Sequence, residues 1–222
     1  MRFWRRWFVP GHPTSLAFAE GYARWAPHYP PRAHNPLMAA EQTAVMNILS
    51  RLRPQLALDV GTGTGRGMTL LASIGASRRV GVDLSMAMLA QGPLPRQSVR
   101  ADACALPFGG ATFDLVLSSL MVGDVPDLAA WTAEMSRVLR PNGRLVYSDF
   151  HPRWATRRWR RTFRDDRGHQ YELPYHPHTI ADHLAALDAA RLSVQTVREP
   201  KADGAPGPVV VVVEAVKAVC YR

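Results

Sequence analysis

The chain has 222 residues, 47% of them hydrophobic, which predicts one globular unit with a single sizeable core. Its 27 Lys and Arg outnumber 18 Asp and Glu, and the net charge of +9 is compatible with an anionic lipid, a nucleic acid or an acidic protein as partner. No run approaches the ~18 apolar residues of a membrane span, and two cysteines are too few for a disulfide framework, so a soluble, cytoplasmic protein is expected.

The first nine residues combine aromatic and cationic side chains before Pro10 interrupts any helix. At helical spacing the two kinds of side chain fall on different sides, a pattern typical of a basic helix at a membrane surface. The alternative is an arm that packs on its own domain. The aromatic residues are Phe3, Trp4, Trp7 and Phe8, and the cationic residues are Arg2, Arg5 and Arg6.

A proline-rich stretch follows and ends at residue 36. Asn35 and Pro36 predict the N-cap and the first residue of a helix. We therefore expect residues 1–36 to form an N-terminal arm and cap, and residues 37–222 to form the principal domain.

From residue 56 onward, short β-type runs alternate with helical segments, which predicts a parallel sheet covered by helices on both faces. The β-type runs span residues 56–60, 79–84, 98–101, 113–120 and 145–150, and the helices span residues 66–75, 85–91 and 127–140. Ligands of such sheets bind at the carboxyl ends of the strands.

The last part of the chain breaks this alternation. A helix over residues 179–190 precedes β-type runs at 192–198 and 209–219, and the final run lacks a helical crossover, so it is predicted to return antiparallel. Residues 151–178 form an insertion in which side chains alternate on both sides of the turn at 165–168. This pattern predicts a hairpin that stands over the ligand end of the sheet.

The segment from Asp59 to Gly65 joins an apolar run to three alternating glycines, which allow a ligand to approach main-chain atoms. A dinucleotide fingerprint would need glycine at position 66 or 68, where the chain has Arg66 and Met68. A phosphate-binding P-loop would need a lysine, and none is near. The loop therefore predicts a nucleoside ligand without a pyrophosphate.

Five ordered motifs resemble those of class I S-adenosylmethionine-dependent methyltransferases, and the resemblance covers about residues 40–150. The motifs are the glycine loop at 59–65, the strand 80–85 with Asp83, Asp102-Ala103 followed by 106–108, the run 113–116, and the segment 137–143. The small-molecule branch, which includes quinone and malonyl-carrier-protein methyltransferases, is the most similar. The resemblance implies an α/β fold with a Rossmann-like, seven-stranded sheet, mostly parallel with an antiparallel last strand. It also implies S-adenosylmethionine as cofactor and S-adenosylhomocysteine as product.

The resemblance further implies a set of cofactor contacts. The carboxylate of Asp83 is suited to both ribose hydroxyls, and Asp102 with the main chain of Ala103 would bind the adenine. Asp59 would hold the methionine end, with tying down backbone amides as its alternative role. The full set of expected contacts is Tyr29, Asp59, Gly61, Gly63, Gly65, Asp83, Leu84, Met88, Asp102, Ala103 and Ser118.

Methyl transfer mainly requires alignment of the acceptor and exclusion of water, and it needs a general base only if the acceptor loses a proton. His151, directly after the run 145–150, is predicted as that base, with a structural hydrogen bond as the alternative. His151 with His176 and His178 is also conceivable as a metal site, but no metal is predicted.

The insertion is rich in arginine, whose guanidinium suits a carboxylate or a phosphate. An anionic acceptor or an acidic carrier protein would explain this composition. The alternative is a solvated hairpin face partly balanced by Asp165 and Asp166. The arginines are Arg153, Arg157, Arg158, Arg160, Arg161 and Arg164.

The sequence thus predicts methyl transfer to a small organic acceptor, with oxygen as the preferred atom. The alternatives are an RNA methyltransferase and a membrane-recruited accessory protein that binds the cofactor without catalysis. The run Ser118-Ser119-Leu120-Met121 lacks an amino-methylation motif, so nucleic acid is not the expected partner. Relatives have glycine where the helix 179–190 ends, and here Arg191 is expected to tolerate a positive φ at a cost of about 1 kcal/mol.

Overall fold

A seven-stranded sheet forms the centre of the protein in a computed structural model that describes residues 13–92, 97–157 and 160–219. The basic aromatic segment 1–9 lies outside the described residues. The strands are β1 Thr14–Ser15, β2 Leu56–Val60, β3 Arg78–Asp83, β4 Ser98–Arg100, β5 Phe113–Ser119, β6 Leu139–Phe150, β7 Thr162–Arg164, β8 Gln170–Glu172, β9 Leu192–Arg198 and β10 Val210–Lys217. The central sheet has the order β4-β3-β2-β5-β6-β10-β9. Strand β10 runs antiparallel to both neighbours, β6 and β9, which confirms the predicted Rossmann-like sheet.

Helices cover both faces of this sheet, as the alternating pattern predicts. They are α1 Phe18–Trp25, α2 Pro36–Leu49, α3 Arg66–Ser73, α4 Met86–Gln91, α5 Leu128–Val138 and α6 Ile180–Ala189. The side chain of Asn35 accepts the Met38 N–H at 2.9 Å, which confirms the predicted N-cap of α2. Helix α6 begins with a capping box between Thr179 and Asp182.

Two apolar clusters hold the layers together. On one face α2 and α3 pack on the sheet, with Val45 and Ile48 fully buried. On the other face α5 and α6 pack on it, and Trp131 meets Tyr147 edge to face at 5.1 Å. Because both faces are covered, the central strands are apolar almost throughout, as expected of a parallel sheet.

A second, three-stranded sheet with the order β1-β8-β7 forms a cap together with α1. The antiparallel pairing of β7 with β8 confirms the predicted hairpin. The Trp25 ring of α1 stacks on Phe163 of the hairpin, with ring centroids 5.0 Å apart and planes 10° from parallel. This contact joins the N-terminal region to the insertion and gives Trp25 a packing role.

The start of strand β6 differs from the sequence prediction, and two residues other than glycine have a positive φ in this part of the fold or at the end of α6. Strand β6 begins at Leu139 instead of 145, because Leu139 pairs with Phe113 before the intervening residues bulge out and pairing resumes at Arg144. Asn142 within this bulge has φ 63°. Arg191 has φ 56°, as predicted. Among the described residues, no helix is both long and apolar enough to cross a bilayer.

Candidate functional site

A cavity of about 600 Å³ opens at the carboxyl ends of the central parallel strands, beneath the cap. The glycine loop after β2, the ends of β3 and β5, helix α1 and the cap all contribute to its wall. Of the eleven predicted contacts, nine line the cavity: Tyr29, Asp59, Gly61, Gly63, Asp83, Leu84, Met88, Asp102 and Ala103.

The glycine loop is held open toward this cavity by main-chain hydrogen bonds. The amides of Gly61 and Thr62 both donate to the Val82 carbonyl, at 2.8 and 2.9 Å. A Cβ at Gly63 would meet no atom within 4 Å, so this residue, with φ 54°, presents bare backbone to the cavity. Gly65 does not line the cavity. Its φ of 92° allows it to be the N-cap of α3, which is a conformational role, and its predicted cofactor contact stays a prediction.

Asp83 joins the loop to the nucleoside end of the cavity. Its Oδ2 accepts the Gly63 N–H at 2.8 Å and its Oδ1 accepts the Ser85 N–H at 2.8 Å. Burial raises the pKa of Asp83, although these two amides act in the opposite direction. The Leu84 amide also bonds this carboxylate. A carboxylate has about four lone-pair sites, so capacity remains for a ribose hydroxyl.

Asp102 and Ala103 lie on the cavity wall beside Asp83. Asp102 uses Oδ1 to accept the Cys104 N–H at 2.8 Å, which fixes the turn and leaves Oδ2 available. Met88 supplies a buried apolar wall here. The residues at this end therefore fit an adenosine: a carboxylate for the ribose, a carboxylate for the base amine and an apolar surface for the rings.

Asp59 is buried at the start of the glycine loop. It accepts the Thr62 hydroxyl at 2.6 Å and the Met68 amide, and burial raises its pKa to about 6. A side chain at Gly67 would overlap its carboxylate. Asp59 thus ties the loop to the first turn of α3 while one edge of it remains on the cavity wall.

Ser118 lies fully buried and away from the cavity, which contradicts its predicted contact. Its hydroxyl has no hydrogen-bond partner among the described residues. Side chains alternate along a strand, so Ser119, the next residue of β5, points to the other face and lines the cavity instead. The prediction was therefore displaced by one residue.

The cavity wall also contains a polar cluster that sequence reasoning missed. The Tyr22 hydroxyl donates to Asp124 Oδ2 at 2.7 Å, while Arg161 donates to Asp124 Oδ1 and to the Tyr22 oxygen. All three line the cavity. They come from α1, the segment after β5 and the cap, so this cluster forms only where the cap meets the core.

The electrostatics of this cluster are those of a buried ion pair. Burial raises the pKa of Asp124 even though the Arg161 charge acts against it. Burial alone would lower the pKa of Arg161, but the Asp124 carboxylate outweighs this effect and raises it. Burial also raises the pKa of Tyr22 well above its usual value, so its phenol remains protonated. The positive charge of Arg161 is therefore already balanced within the protein.

His151 does not reach the cavity, which contradicts its predicted role as general base. Its Nε2 lies 2.6 Å from Glu199 Oε2, and its Nδ1 accepts the Arg153 N–H at 3.2 Å. Both ring nitrogens are thus used in fixing the loop that follows β6. His176 does line the cavity, whereas His178 contacts the Val125 carbonyl at 2.8 Å. The described part of the chain contains no group of three metal-ligating side chains.

The arginines of the insertion contribute little positive charge to the cavity. Among those described, Arg161 is the one that lines it. Arg160 lies 3.3 Å from Glu172, and Arg164 donates to the Gly168 carbonyl and to Gln170 on the cap. Arg158 lies outside the described residues. This arrangement does not favour an anionic acceptor held by free cap arginines.

Comparisons with known proteins agree with this geometry. A family model described as a methyltransferase domain matches residues 58–147. Demethylmenaquinone methyltransferase of Mycolicibacterium gilvum (strain PYR-GCK) is 44% identical over 94 residues, which cover 42% of this chain and 41% of that protein. Phthiotriol/phenolphthiotriol dimycocerosates methyltransferase of Mycobacterium leprae (strain TN) is 30% identical over 181 residues, covering 75% of this chain and 67% of that protein. The chain spans about half the length of the first curated relatives it matches.

Solved structures share the same fold. The crystal structure of an S-adenosylmethionine-dependent methyltransferase from Mesorhizobium loti has a TM-score of 0.68 at 24% identity, covering 82% of this chain and all of that one. The structure has the strand order with an antiparallel β10, and the glycine loop, Asp83 and Asp102 line its cavity. In addition, the chain matches a methyltransferase over two thirds of that relative's length. On these grounds the chain belongs to the class I S-adenosylmethionine-dependent methyltransferases.

Proposed function

We propose that this protein transfers the methyl group of S-adenosylmethionine to a small, largely apolar acceptor, preferentially on a hydroxyl or enol oxygen, and releases S-adenosylhomocysteine. One observation carries the proposal: a single cavity is lined both by residues that fit adenosine and by the buried Tyr22–Asp124–Arg161 cluster. A cofactor at the first group of residues and an acceptor at the second would share one enclosed space, which is the requirement for direct transfer.

The wall of the acceptor end supports an apolar substrate. Aromatic, methionine and proline side chains surround the cluster, and each is a poor partner for a charged acceptor. They are Phe18, Tyr29, Met121, Pro126 and Pro174, and Val125 adds an aliphatic side chain. The names of the two relatives point the same way, since one specifies a demethylmenaquinone and the other a triol and its phenolic counterpart.

The chain's own residues would orient the acceptor and remove its proton. Bound S-adenosylmethionine would supply a methyl group activated by a positively charged sulfur. Tyr22 would hold the acceptor hydroxyl through its phenol oxygen, and the acceptor proton would pass through this phenol to Asp124. Because burial raises the pKa of Asp124, its carboxylate is a stronger base than an exposed one. Arg161, which donates to both Asp124 and Tyr22, would hold this pair in place.

The test is a transfer assay with S-adenosylmethionine and a panel of acceptors: a prenylated naphthoquinol, a long-chain diol, a simple phenol and a free fatty acid. The expected product, detected by mass spectrometry, is the quinol or the diol enlarged by one methylene. Asp83→Ala should abolish transfer and lower cofactor affinity, whereas Asp166→Ala on the exposed hairpin turn should change neither. If calorimetry detected no binding of S-adenosylhomocysteine, or equal binding by Asp83→Ala, the proposal would fail.

Two finer proposals concern how the acceptor reaches the site. An acidic carrier protein could deliver it to the arginine-rich insertion, and a carrier-bound malonyl thioester should then be methylated faster than the free thioester. Residues 1–9 could instead attach the protein to an anionic membrane, which follows from their sequence pattern alone. Flotation with phosphatidylglycerol vesicles, with and without residues 1–9, tests this, and equal flotation would contradict it.

The RNA alternative has a separate test. The exposed basic surface would bind RNA with an affinity that falls steeply with salt. Methyl transfer to total RNA, with no transfer to any member of the small-molecule panel, would favour that alternative over our proposal.

A further inference from the structure

Arg66 is a cavity residue whose role the cofactor motifs do not assign. It is the first residue of α3, directly after the left-handed Gly65, and it occupies a position where a dinucleotide fingerprint would have glycine. Its side chain is only 7% exposed, yet it lies on the cavity wall beside Gly63 and Gly67. The chain therefore places a nearly buried cation next to the bare backbone of the glycine loop.

One edge of the Arg66 guanidinium is fixed by a buried carboxylate. Its Nη1 donates to Glu41 Oε2 at 2.7 Å, and the side chain of Glu41 is fully buried. The other oxygen, Glu41 Oε1, accepts the Ser148 hydroxyl at 2.7 Å, and Ser148 Oγ in turn accepts the Leu120 amide at 3.0 Å. Glu41 is thus shared between two partners, and its contact with Arg66 is through Nη1.

The second edge of the guanidinium has no partner among the described residues. Arginine has five N–H donors, and the contact with Glu41 uses one of them. Asp59 also acts on Arg66 electrostatically, but its own oxygens are taken by Thr62 and the Met68 amide. A nearly buried guanidinium with free donors on a cavity wall calls for an anionic acceptor of hydrogen bonds.

We propose that the free edge of Arg66 binds the carboxylate of the methionine part of S-adenosylmethionine, with Glu41 as its positioning residue. The proposal rests on the proposed function for its ligand and adds the residue that recognises the amino-acid end. A planar guanidinium fork matches a carboxylate in both charge and geometry. The amides of the first turn of α3 add to the positive potential at the same point. Asp83 and Arg66 would then fix the two ends of the cofactor with opposite charges.

The experiment compares two ligands that differ by the carboxylate alone. Calorimetry is run with S-adenosylmethionine and with decarboxylated S-adenosylmethionine on the wild type, Arg66→Gln and Asp83→Asn. We expect the wild type to prefer the carboxylated ligand by about 10- to 100-fold, the usual range for hydrogen bonds to a charged group. Arg66→Gln should lose this preference while binding the decarboxylated ligand as before. Asp83→Asn should weaken both ligands by the same factor.

Three further variants distinguish loss of the Arg66 contact from destabilisation of the fold. Arg66→Gln leaves the Glu41 carboxylate buried without a cation, so Arg66→Gln with Glu41→Gln removes that charge and should show the same loss of preference. Arg66→Lys, which keeps a charge but not the fork, should keep part of the preference. Glu41→Gln alone should lower it without abolishing it.

The outcomes separate this inference from the proposed function. If the wild type bound neither ligand, both would be overturned. If it bound both ligands and Arg66→Gln weakened them equally, or changed neither, the role of Arg66 would be wrong while the cofactor assignment stood.

Discussion

Asp149, at the carboxyl end of β6, is a fully buried carboxylate whose replacement by asparagine should stabilise the protein at neutral pH. Its Oδ1 accepts the Phe150 amide at 2.7 Å and also the Gly123 amide. Its Oδ2 has no hydrogen-bond partner among the described residues and lies 3.9 Å from His183 Nε2, which likewise has none there. Asparagine can keep the Oδ1 contacts and offers an N–H toward His183 in place of a charge.

The size of the effect follows from the pKa of Asp149. Burial raises it from 3.8 to about 7, helped by the Asp124 charge and opposed by the two amides and Arg161. A carboxyl group with a raised pKa in the folded state stabilises the fold fully below pH about 4, and this contribution is lost as pH rises to about 7. At 1.4 kcal/mol per pKa unit, the loss is about 4 kcal/mol. Asp149→Asn should therefore match the wild type near pH 4 and exceed its free energy of unfolding by up to about 4 kcal/mol above pH 7.

The contribution of His183 to stability depends on pH in the opposite direction to that of Asp149. This contribution is present in both the wild type and Asp149→Asn. Burial lowers the pKa of His183 to about 4, so its contribution is present above pH about 6.5 and is lost as pH falls to about 4. Both proteins contain His183, so its own titration is common to them and the difference in stability reports mainly on Asp149. The assay is urea unfolding followed by tryptophan fluorescence at several pH values from about 4 to about 8.

Asp182→Asn is the matched control of opposite sign. The Thr179 side chain and amide lower the pKa of Asp182, so this carboxylate stabilises the fold at neutral pH and its variant should be less stable there. An Asp149→Asn protein that is no more stable than the wild type at pH 8 would refute the reasoning. So would a stability difference that does not change with pH.

Three further predictions use the same unfolding and binding assays. Asp124→Asn or Arg161→Met should each cost about 3–5 kcal/mol because one buried charge loses its partner, while the double variant should cost much less than their sum. Additive losses would contradict a direct ion pair. Gly63→Ala should lower affinity for S-adenosylhomocysteine about 10- to 100-fold, since its Cβ enters the cavity, whereas Gly75→Ala, equally left-handed and unobstructed but outside the cavity, should not affect binding. Arg191→Gly should be about 1 kcal/mol more stable than Arg191→Ala, and equal stabilities would argue against strain at φ 56°.

The fold and the adenosine end could be predicted from the sequence because their signals are local. Each strand, its following loop and its acid lie within a few residues of one another, as in the glycine loop and Asp83. Strand bounds were accurate where apolar runs were short, and the error at β6 arose from a bulge whose residues carry no apolar signal. The displacement from Ser118 to Ser119 has a similar origin, because a strand's register decides which of two adjacent serines faces the cavity.

The acceptor end was not predictable in the same way, because its residues meet only through tertiary packing. Tyr22 and Arg161 are 139 positions apart, and Asp124 is 37 positions from Arg161. His151 failed as a base for a related reason: the partner that turns it away, Glu199, lies 48 positions further along. The sequence predicts that such a residue lies at the end of a strand, but it does not predict which other element will pack against it.

The two guanidinium groups on the cavity wall suggest how its ends are assembled together. Arg66 donates one N–H to Glu41 from α2, and Arg161 donates to Asp124 from the segment after β5. Glu41 also bonds Ser148, which holds the amide of Leu120, four residues before Asp124 and itself at φ 57°. The same carboxylate therefore supports the cofactor end directly and the acceptor end through a strained turn. The members of a buried hydrogen-bond network depend on one another. Replacement of Glu41 should therefore weaken binding of both the cofactor and the acceptor, whereas replacement of Arg66 should weaken binding of the cofactor alone.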